Sequence, residues 1–204
     1  MNTRRLVAIA VFTALIVLGG LISVPIPFTQ VEVSFQTVFV IMAGLVLGGR
    51  DGALSVLVYL AMGLLGLPVF TQGGGIAYVF KPSFGYLIGF PIGALLAGTV
   101  MSRGKRKTRS RAFAAALVGM IPAYLIGVTY QMLILYYYIG SSLGAVVSGL
   151  PAIAVLAVKD AALCGLVASI YPALMRAVGS RASKRKNVNA ADKQSGGFVS
   201  SKQR

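Results

Sequence analysis

A lysine and an aspartate are adjacent inside an otherwise apolar stretch of the chain, residues 150–175. Lys159 lies roughly 12–14 Å from the start of that stretch if the stretch is helical. A charge that deep in a membrane costs ~3 kcal/mol, and such residues usually face a bundle interior and mark a site. We expect Lys159 and Asp160 either to contact a substrate or to pair with groups on another helix. Adjacent residues on a helix point about 100° apart, so a direct pair between the two is not expected.

The rest of the chain offers few groups for catalysis. It contains no histidine, one cysteine and four acidic residues. Metal clusters and acid–base catalysis require more such groups, so we predict a chain that is not an enzyme and holds no cofactor. No G-x-x-x-x-G-K-[ST] pattern occurs, so any ATP dependence must come from other subunits. The polar groups best placed to accompany Lys159 and Asp160 lie in another apolar stretch: Tyr124, Thr129 and Gln131.

Residues 25–32, which we call the first outer loop, begin an extended pattern. Pro25 and Pro27 favour an extended backbone. From Gln30 to Gln36, polar residues then alternate with apolar ones, which is the period of a strand. Two interpretations remain open: a short ordered cap with its polar edge in water, or a lid whose polar groups, Thr29 among them, face a substrate.

Residues 68–82, the second outer loop, combine three glycines with aromatic residues. Gly73–Gly75 permit positive φ angles and close backbone approach. Apolar rings in a loop must pack on the mouth of a bundle or on a ligand. The pattern therefore predicts either a mobile gate with ring-lined walls or an aromatic belt at the membrane interface. The rings concerned lie in this loop and directly after it: Phe70, Tyr78, Phe80, Phe84 and Tyr86.

The elements that position these residues are long apolar segments. The chain of 204 residues is 57% hydrophobic, and its charged fraction is 11%, against about 25% in globular proteins. We predict an all-α integral membrane protein, a six-helix transmembrane bundle with structured outer loops between spans 1–2 and 3–4. The second and third spans are short, so they are either short crossings or a re-entrant hairpin. The spans are expected at about 6–24, 33–47, 53–67, 83–100, 112–138 and 150–175.

The basic residues lie almost entirely on one side of this predicted topology. Of 19 Lys and Arg, 17 fall in the N-terminus, the turn at Arg50, the 101–111 connection or the C-terminal segment. The positive-inside rule then predicts that both termini are cytoplasmic. Because the cations flank spans, we attribute them to topology and the anionic lipid bilayer, and we predict no nucleic-acid partner. Residues 1–176 are expected to form one membrane domain and residues 177–204 a basic disordered tail.

Several segments, in this order, resemble the BioY family, the biotin-binding S components of energy-coupling factor (ECF) transporters. The resemblance is specific over about residues 8–100 and looser over 112–176. The segments that carry it are Pro25-Ile26-Pro27-Phe28-Thr29-Gln30, Phe35-Gln36-Thr37, Gly48-Gly49-Arg50-Asp51-Gly52, Gly66-Leu67-Pro68-Val69-Phe70, Gly73-Gly74-Gly75 and Lys81-Pro82-Ser83-Phe84-Gly85-Tyr86.

The resemblance implies a membrane subunit of a prokaryotic plasma membrane that captures biotin at the outer face. Family members assemble with a transmembrane coupling subunit and two cytoplasmic ATPases. Ala10 and Ala14 resemble the small-residue motif by which S components dock on the coupling subunit. Alternatives are a self-sufficient oligomeric transporter and a different small vitamin as the ligand.

The chemistry of biotin then suggests roles for individual residues. Its ureido ring offers two N–H donors and a carbonyl, its bicyclic body is apolar, and its tail is a carboxylate. Asp160 and Gln36 are expected to accept, and Lys159, Tyr86 and Gln131 to donate. Phe84 and Tyr86 are expected to pack against the bicyclic ring of biotin, and Lys81 to attract its carboxylate. Thr29 and Gly74 are expected to lie in the outer loops that close over the ligand.

The sixth span departs from the family pattern of an aspartate, two residues and then a lysine. Lys159 matches the lysine, but Leu156 occupies the aspartate position. Asp160 lies four residues beyond Leu156, on nearly the same helix face. We expect Asp160 to substitute for the missing carboxylate.

Overall fold

The chain forms a bundle of α-helices with a small strand pair at one end. The computed structural model describes residues 3–24, 32–104, 108–142, 144 and 149–200, and side chains through residue 176. Thr29 lies outside these residues. The helices and strands are α1 (Thr3–Leu21), β1 (Ser23–Val24), β2 (Val33–Ser34), α2 (Gln36–Leu47), α3 (Gly49–Leu64), a 3₁₀ helix (Ile76–Phe80), α4 (Phe84–Ser102), α5 (Arg109–Leu133) with a π-helical turn (Ile134–Tyr138), and α6 (Leu150–Ser200).

Four of these helical segments are long and apolar enough to cross a membrane. They have 19 to 30 residues, against about 20 needed for a hydrocarbon core of ~30 Å. The all-helical class is therefore confirmed, with four candidate membrane spans among the described residues. The four segments are Thr3–Leu21, Phe84–Ser102, Arg109–Tyr138 and Leu150–Arg176.

The short helices α2 and α3 form an antiparallel hairpin. α2 has 12 residues and α3 has 16. Gly48 turns the chain between them at a φ of 89°, which favours glycine. Gly52 packs so closely on Gly44 that a Cβ at Gly52 would collide with the Gly44 backbone. The small residues therefore bring the two helices into near contact.

The hairpin is enclosed by the rest of the bundle. Among the described helices, α2 packs against the five others, and α3 packs against α1 and α4 as well as α2. Ile41 and Ala43 of α2 are fully buried. A helix surrounded by protein does not have to match the thickness of the bilayer, so α2 can be both short and apolar.

Glycines also bring α4 close to its neighbours. Gly89 and Gly93 face the α5 backbone at Ala123 and Gly119, and Gly98 faces the backbone of Gly49. A side chain larger than hydrogen at these positions would separate the helices. α4 is thereby held between α5 on one side and the α2–α3 hairpin on the other.

Successive helices run in alternating directions. At one end, which we call the basic end, Arg5 of α1 pairs with Asp51 at the start of α3, and Arg111 of α5 donates to the Val100 carbonyl of α4. At the other, the loop end, Phe35 donates to the Gly19 carbonyl. Here β1 pairs with β2 in antiparallel register, which matches the alternating pattern before Gln36.

The last helix continues beyond the apolar segment. Its backbone is helical through Ser200, whereas the composition predicts a disordered tail from residue 177. The tail contains alanine, lysine and arginine, which are good helix formers, and these can extend a helix that the preceding span has nucleated. The division into a membrane domain, 1–176, and a separate tail, 177–204, stays a prediction.

Candidate functional site

The second outer loop is anchored by buried rings. The Phe70 ring lies 5.3 Å from that of Tyr59 and 4.6 Å from that of Tyr78. Phe70 is 1% exposed, and the Gly75 amide donates to the Gly63 carbonyl at 2.7 Å. These rings pack into the bundle, so this loop caps the end of α3. Phe84, predicted as a ligand wall, belongs to the same cluster through its contact with Tyr78.

A cavity opens at the loop end between α2, α4, α5 and α6. About 550 Å³ of space free of atoms lies within it, its opening to solvent included. It combines apolar walls with a few polar groups, as small-molecule sites do. The lining residues are Glu32, Ser34, Gln36, Thr37, Thr71, Ser83, Tyr86, Leu87, Phe90, Ala123, Tyr124, Leu156, Lys159 and Asp160.

Lys159 and Asp160 form a direct ion pair in this cavity. The Lys159 Nζ lies 2.6 Å from the Asp160 Oδ1. The expectation that adjacent residues would not pair with each other is therefore wrong. The four-carbon lysine side chain is long and flexible enough to turn its ammonium back toward the neighbouring carboxylate, although the two Cα–Cβ bonds diverge.

Groups from three other elements complete the charge network. The Lys159 ammonium also donates to the Ser34 carbonyl at 2.9 Å, which ties α6 to β2. The Asp160 Oδ2 accepts from the Tyr124 hydroxyl at 2.8 Å and from Thr37 at 3.3 Å. Asp160 is 5% exposed, and a buried carboxylate requires such partners. Tyr124 was among the polar groups expected near the pair; Thr37 was not.

Tyr86 and Gln131 form a second polar pair. The Tyr86 hydroxyl donates to the Gln131 Oε1 at 3.0 Å, and the Tyr86 ring packs edge-on against the Tyr124 ring. Tyr86 lines the cavity, whereas Gln131 lies behind it. Gln131 therefore orients a lining residue from α5.

Gln36 is a buried donor at the start of α2. It is 1% exposed and lines the cavity. Its Nε2 makes no hydrogen bond of good geometry within the described part of the chain, although the side chain interacts with the buried Tyr59 hydroxyl. An unpaired buried N–H is costly unless a ligand or a water satisfies it, so this amide suits a ligand acceptor.

Two predicted site residues lie away from the cavity. The Lys81 Nζ donates to the Gln72 carbonyl at 3.0 Å and lies 5.0 Å from the centre of the Tyr78 ring. Gly74 packs against the Leu67 carbonyl and provides a tight turn. Neither residue lines the cavity.

The sequence interpretation missed several lining residues. Glu32 lies at the mouth, and its position in an alternating polar segment was the available signal. Thr71 and Ser83 give no signal of their own because hydroxyls are common in loops. Leu87 and Phe90 are indistinguishable in sequence from any bundle residue that faces the core.

Ala10 and Ala14 lie on an exposed face of α1. Val7 and Val11, on the same side of the helix, are 58% and 51% exposed. Since both alanines are exposed, this strip is available to lipid or to another membrane protein.

Comparison with known proteins identifies the family to which this chain belongs. A model of the BioY family matches residues 1–180. A "Probable biotin transporter BioY" of Lysinibacillus sphaericus is 48% identical over 129 residues, which are 63% of this chain and 65% of that protein. A "Biotin transporter BioY" of Rhizobium etli is 39% identical over 139 residues, 64% of this chain and 74% of the relative.

The fold is similar to a solved structure. It is the crystal structure, at 2.1 Å, of the S-component for biotin from an ECF-type ABC transporter. The TM-score is 0.66 and the identity 26%, over 83% of this chain and 92% of the other. Since the family model extends over most of its length, the chain belongs to the BioY family.

Proposed function

We propose that this protein binds biotin at the loop end of the bundle and serves as the substrate-capture subunit of a biotin uptake system. The cavity carries this proposal, because it brings an ammonium, a carboxylate, a side-chain amide and aromatic walls together. The relatives named as biotin transporters and the similar biotin S-component support biotin as the ligand.

The polar groups suit the ureido end of biotin. Asp160 offers a carboxylate acceptor for ureido N–H groups. Lys159 and the unpaired Gln36 amide offer donors for the ureido carbonyl. Tyr86 and Phe90 provide apolar surface for the bicyclic body.

The arrangement of the chain supports a membrane subunit with six crossings and cytoplasmic termini. The helices alternate in direction, and Arg5 and Arg111 lie at the end opposite to the cavity. Cations flanking spans favour the cytoplasmic side, so the cavity would open outward from a prokaryotic plasma membrane. A reporter fused at the C-terminus should be inaccessible from outside intact cells.

The chain is expected to work with an ECF coupling subunit and two cytoplasmic ATPases, in contact with lipid. The similar structure belongs to an S-component of an ECF-type transporter, which supports this assembly. The exposed strip that includes Ala10 and Ala14 would form the docking face. Biotin uptake by cells expressing this chain without any ATPase module would instead indicate a self-sufficient transporter.

Binding of labelled biotin to the purified full-length protein tests the proposal. We expect submicromolar binding by the wild type and a loss of at least about 30-fold in Lys159→Met, since the ligand donor and the partner of Asp160 are both removed. Lys81→Met is the matched control, because it removes an ammonium that does not line the cavity. Absence of submicromolar binding by the wild type, or equal losses in both variants, would refute the proposed site.

A further inference from the structure

An open groove lies between α5 and α6 at the basic end of the bundle. About 420 Å³ of space free of atoms lies within it, its opening to the surroundings included. None of its lining residues lines the cavity at the loop end, so the groove is a separate feature. The lining residues are Arg109, Ser110, Phe113, Gly165, Ala168 and Ser169.

Small residues of α6 create the space in the groove. Gly165, Ala168 and Ser169 line it from α6, and Phe113 lines it from α5. A Cβ at Gly165 would lie 3.8 Å from the Phe113 ring, at ordinary contact distance. The Ser169 hydroxyl donates to the Gly165 carbonyl at 2.9 Å, which keeps it against its own helix. A longer side chain at position 165 would therefore occupy the groove.

The polarity of the groove changes along its length. Arg109 and Ser110 lie at the start of α5, and Ser169 lies at the same end of the groove, since α6 runs in the opposite direction. Phe113 and Gly165 lie four residues deeper on their helices, which is about 6 Å. One end of the groove is therefore polar and cationic, and the other is apolar. An amphiphile with an anionic headgroup and an acyl chain has the same order of groups.

The borders of the groove face the hydrocarbon of the bilayer. Leu166 and Ile170 of α6 are 53% and 49% exposed, and Phe113 of α5 is 38% exposed. Exposed apolar side chains on spans of this length contact lipid tails, which are as apolar as they are. A lipid molecule therefore reaches the groove directly from the bilayer.

The guanidinium of Arg109 is available to an anion. Within the described residues it forms no ion pair and no hydrogen bond, whereas Arg5 pairs with Asp51 and Arg111 donates to the Val100 carbonyl. A guanidinium binds phosphate through two parallel N–H groups. Anionic lipids are concentrated in the cytoplasmic leaflet, and basic pockets between spans bind their headgroups.

We propose that the α5–α6 groove binds one anionic phospholipid, with Arg109 and Ser110 contacting the phosphate and an acyl chain lying along Phe113 and Gly165. The leaflet is cytoplasmic in the proposed orientation of the chain. The site itself does not depend on biotin as the ligand of the cavity. The bound lipid joins α5 to α6 at the end opposite to the cavity that these two helices help to form.

Binding of phosphatidylglycerol to the purified full-length protein in detergent tests the proposal. Native mass spectrometry measures the bound lipid, and the thermal midpoint should rise as the lipid is added. We expect phosphatidylglycerol to bind at least about fivefold more tightly than phosphatidylcholine, and Arg109→Gln to lose this preference, since one cation near an anionic headgroup contributes about that factor. Gly165→Leu should weaken the binding of both lipids, because it fills the apolar end of the groove.

Two matched variants control for charge and for size. Arg103→Gln removes an exposed cation of the basic end that does not line the groove, and Ala162→Leu enlarges an exposed side chain of α6 outside it. Both should bind phosphatidylglycerol as the wild type does. The helical circular dichroism of each variant checks its fold independently of any ligand.

Several outcomes would overturn the inference. These are equal affinity of the wild type for the two lipids, equal losses in Arg109→Gln and Arg103→Gln, and unchanged binding in a folded Gly165→Leu. Stabilisation by inorganic phosphate alone to the same extent would show an anion site without an acyl chain. A dimer that Gly165→Leu dissociates would place a second copy of the chain in the groove. Absence of biotin binding with retained lipid binding would overturn the proposed function and leave this inference standing.

Discussion

Moving one carboxylate by a helical turn tests how the cavity recognises its ligand. Asp160 supplies the buried carboxylate, whereas the family pattern expects one at the position of Leu156. Both residues line the cavity, and each is 5% exposed. The variant Asp160→Leu removes the carboxylate, and Asp160→Leu/Leu156→Asp returns it one turn nearer to the loop end.

The contacts of Asp160 determine how much biotin affinity the variant Asp160→Leu should lose. Asp160→Leu removes the partner of Lys159 at 2.6 Å and the acceptor of the Tyr124 hydroxyl at 2.8 Å. Breaking a buried ion pair costs about 3–5 kcal/mol. The Lys159 side chain is 26% exposed and keeps the Ser34 carbonyl, so we expect a smaller loss of ~2–3 kcal/mol in binding, or about 30- to 150-fold in Kd.

The relocated carboxylate should recover most of that loss. Positions 156 and 159 are three residues apart on a helix, so an aspartate at 156 can pair with the Lys159 ammonium. We expect a Kd within about tenfold of the wild type, measured by titration with labelled biotin, with Asp160→Leu alone as the control. Wild-type affinity in Asp160→Asn, or no recovery in the double variant, would refute the role given to Asp160.

Other contacts lead to further predictions. Tyr124→Phe should weaken biotin binding about 5- to 30-fold in the same titration, because Asp160 loses a hydroxyl donor worth ~1–2 kcal/mol. Gly98→Leu should lower the thermal midpoint in detergent, since overpacking costs about 1–3 kcal/mol and a Cβ there meets the Gly49 backbone; an unchanged midpoint would contradict the close packing. Phe70→Ala should destabilise the protein by about 3–5 kcal/mol and admit protease to the second outer loop, and a loop that stays protected would show that other contacts anchor it.

The membrane class was predictable because composition and charge asymmetry are properties of whole segments. Length alone leaves the number of crossings open, since α2 and α3 are short, and six crossings stays a prediction. Their length becomes understandable only from the packing: α2 is enclosed by five helices, and Gly44 and Gly52 let the hairpin close. A hydropathy threshold that is applied to each helix separately does not take these neighbouring helices into account.

The central residues of the candidate site were predictable from the sequence, whereas its peripheral residues were not. A lysine and an aspartate in an apolar span point to a site whatever surrounds them, and both residues line the cavity. Their direct pairing depends on lysine rotamers that spacing on a helix does not specify. The place of Lys81 outside the cavity depends on one loop carbonyl, that of Gln72, which no sequence pattern indicates.

The glycines of the second outer loop show why conformational freedom in a sequence does not imply motion in the fold. Gly73 and Gly75 have φ angles of 108° and 96°, and a Cβ at Gly74 would collide with the Leu67 carbonyl. These positions require glycine because the turn is tight. The adjoining ring of Phe70 is buried at the same time, so the freedom of the glycines is used to hold one conformation.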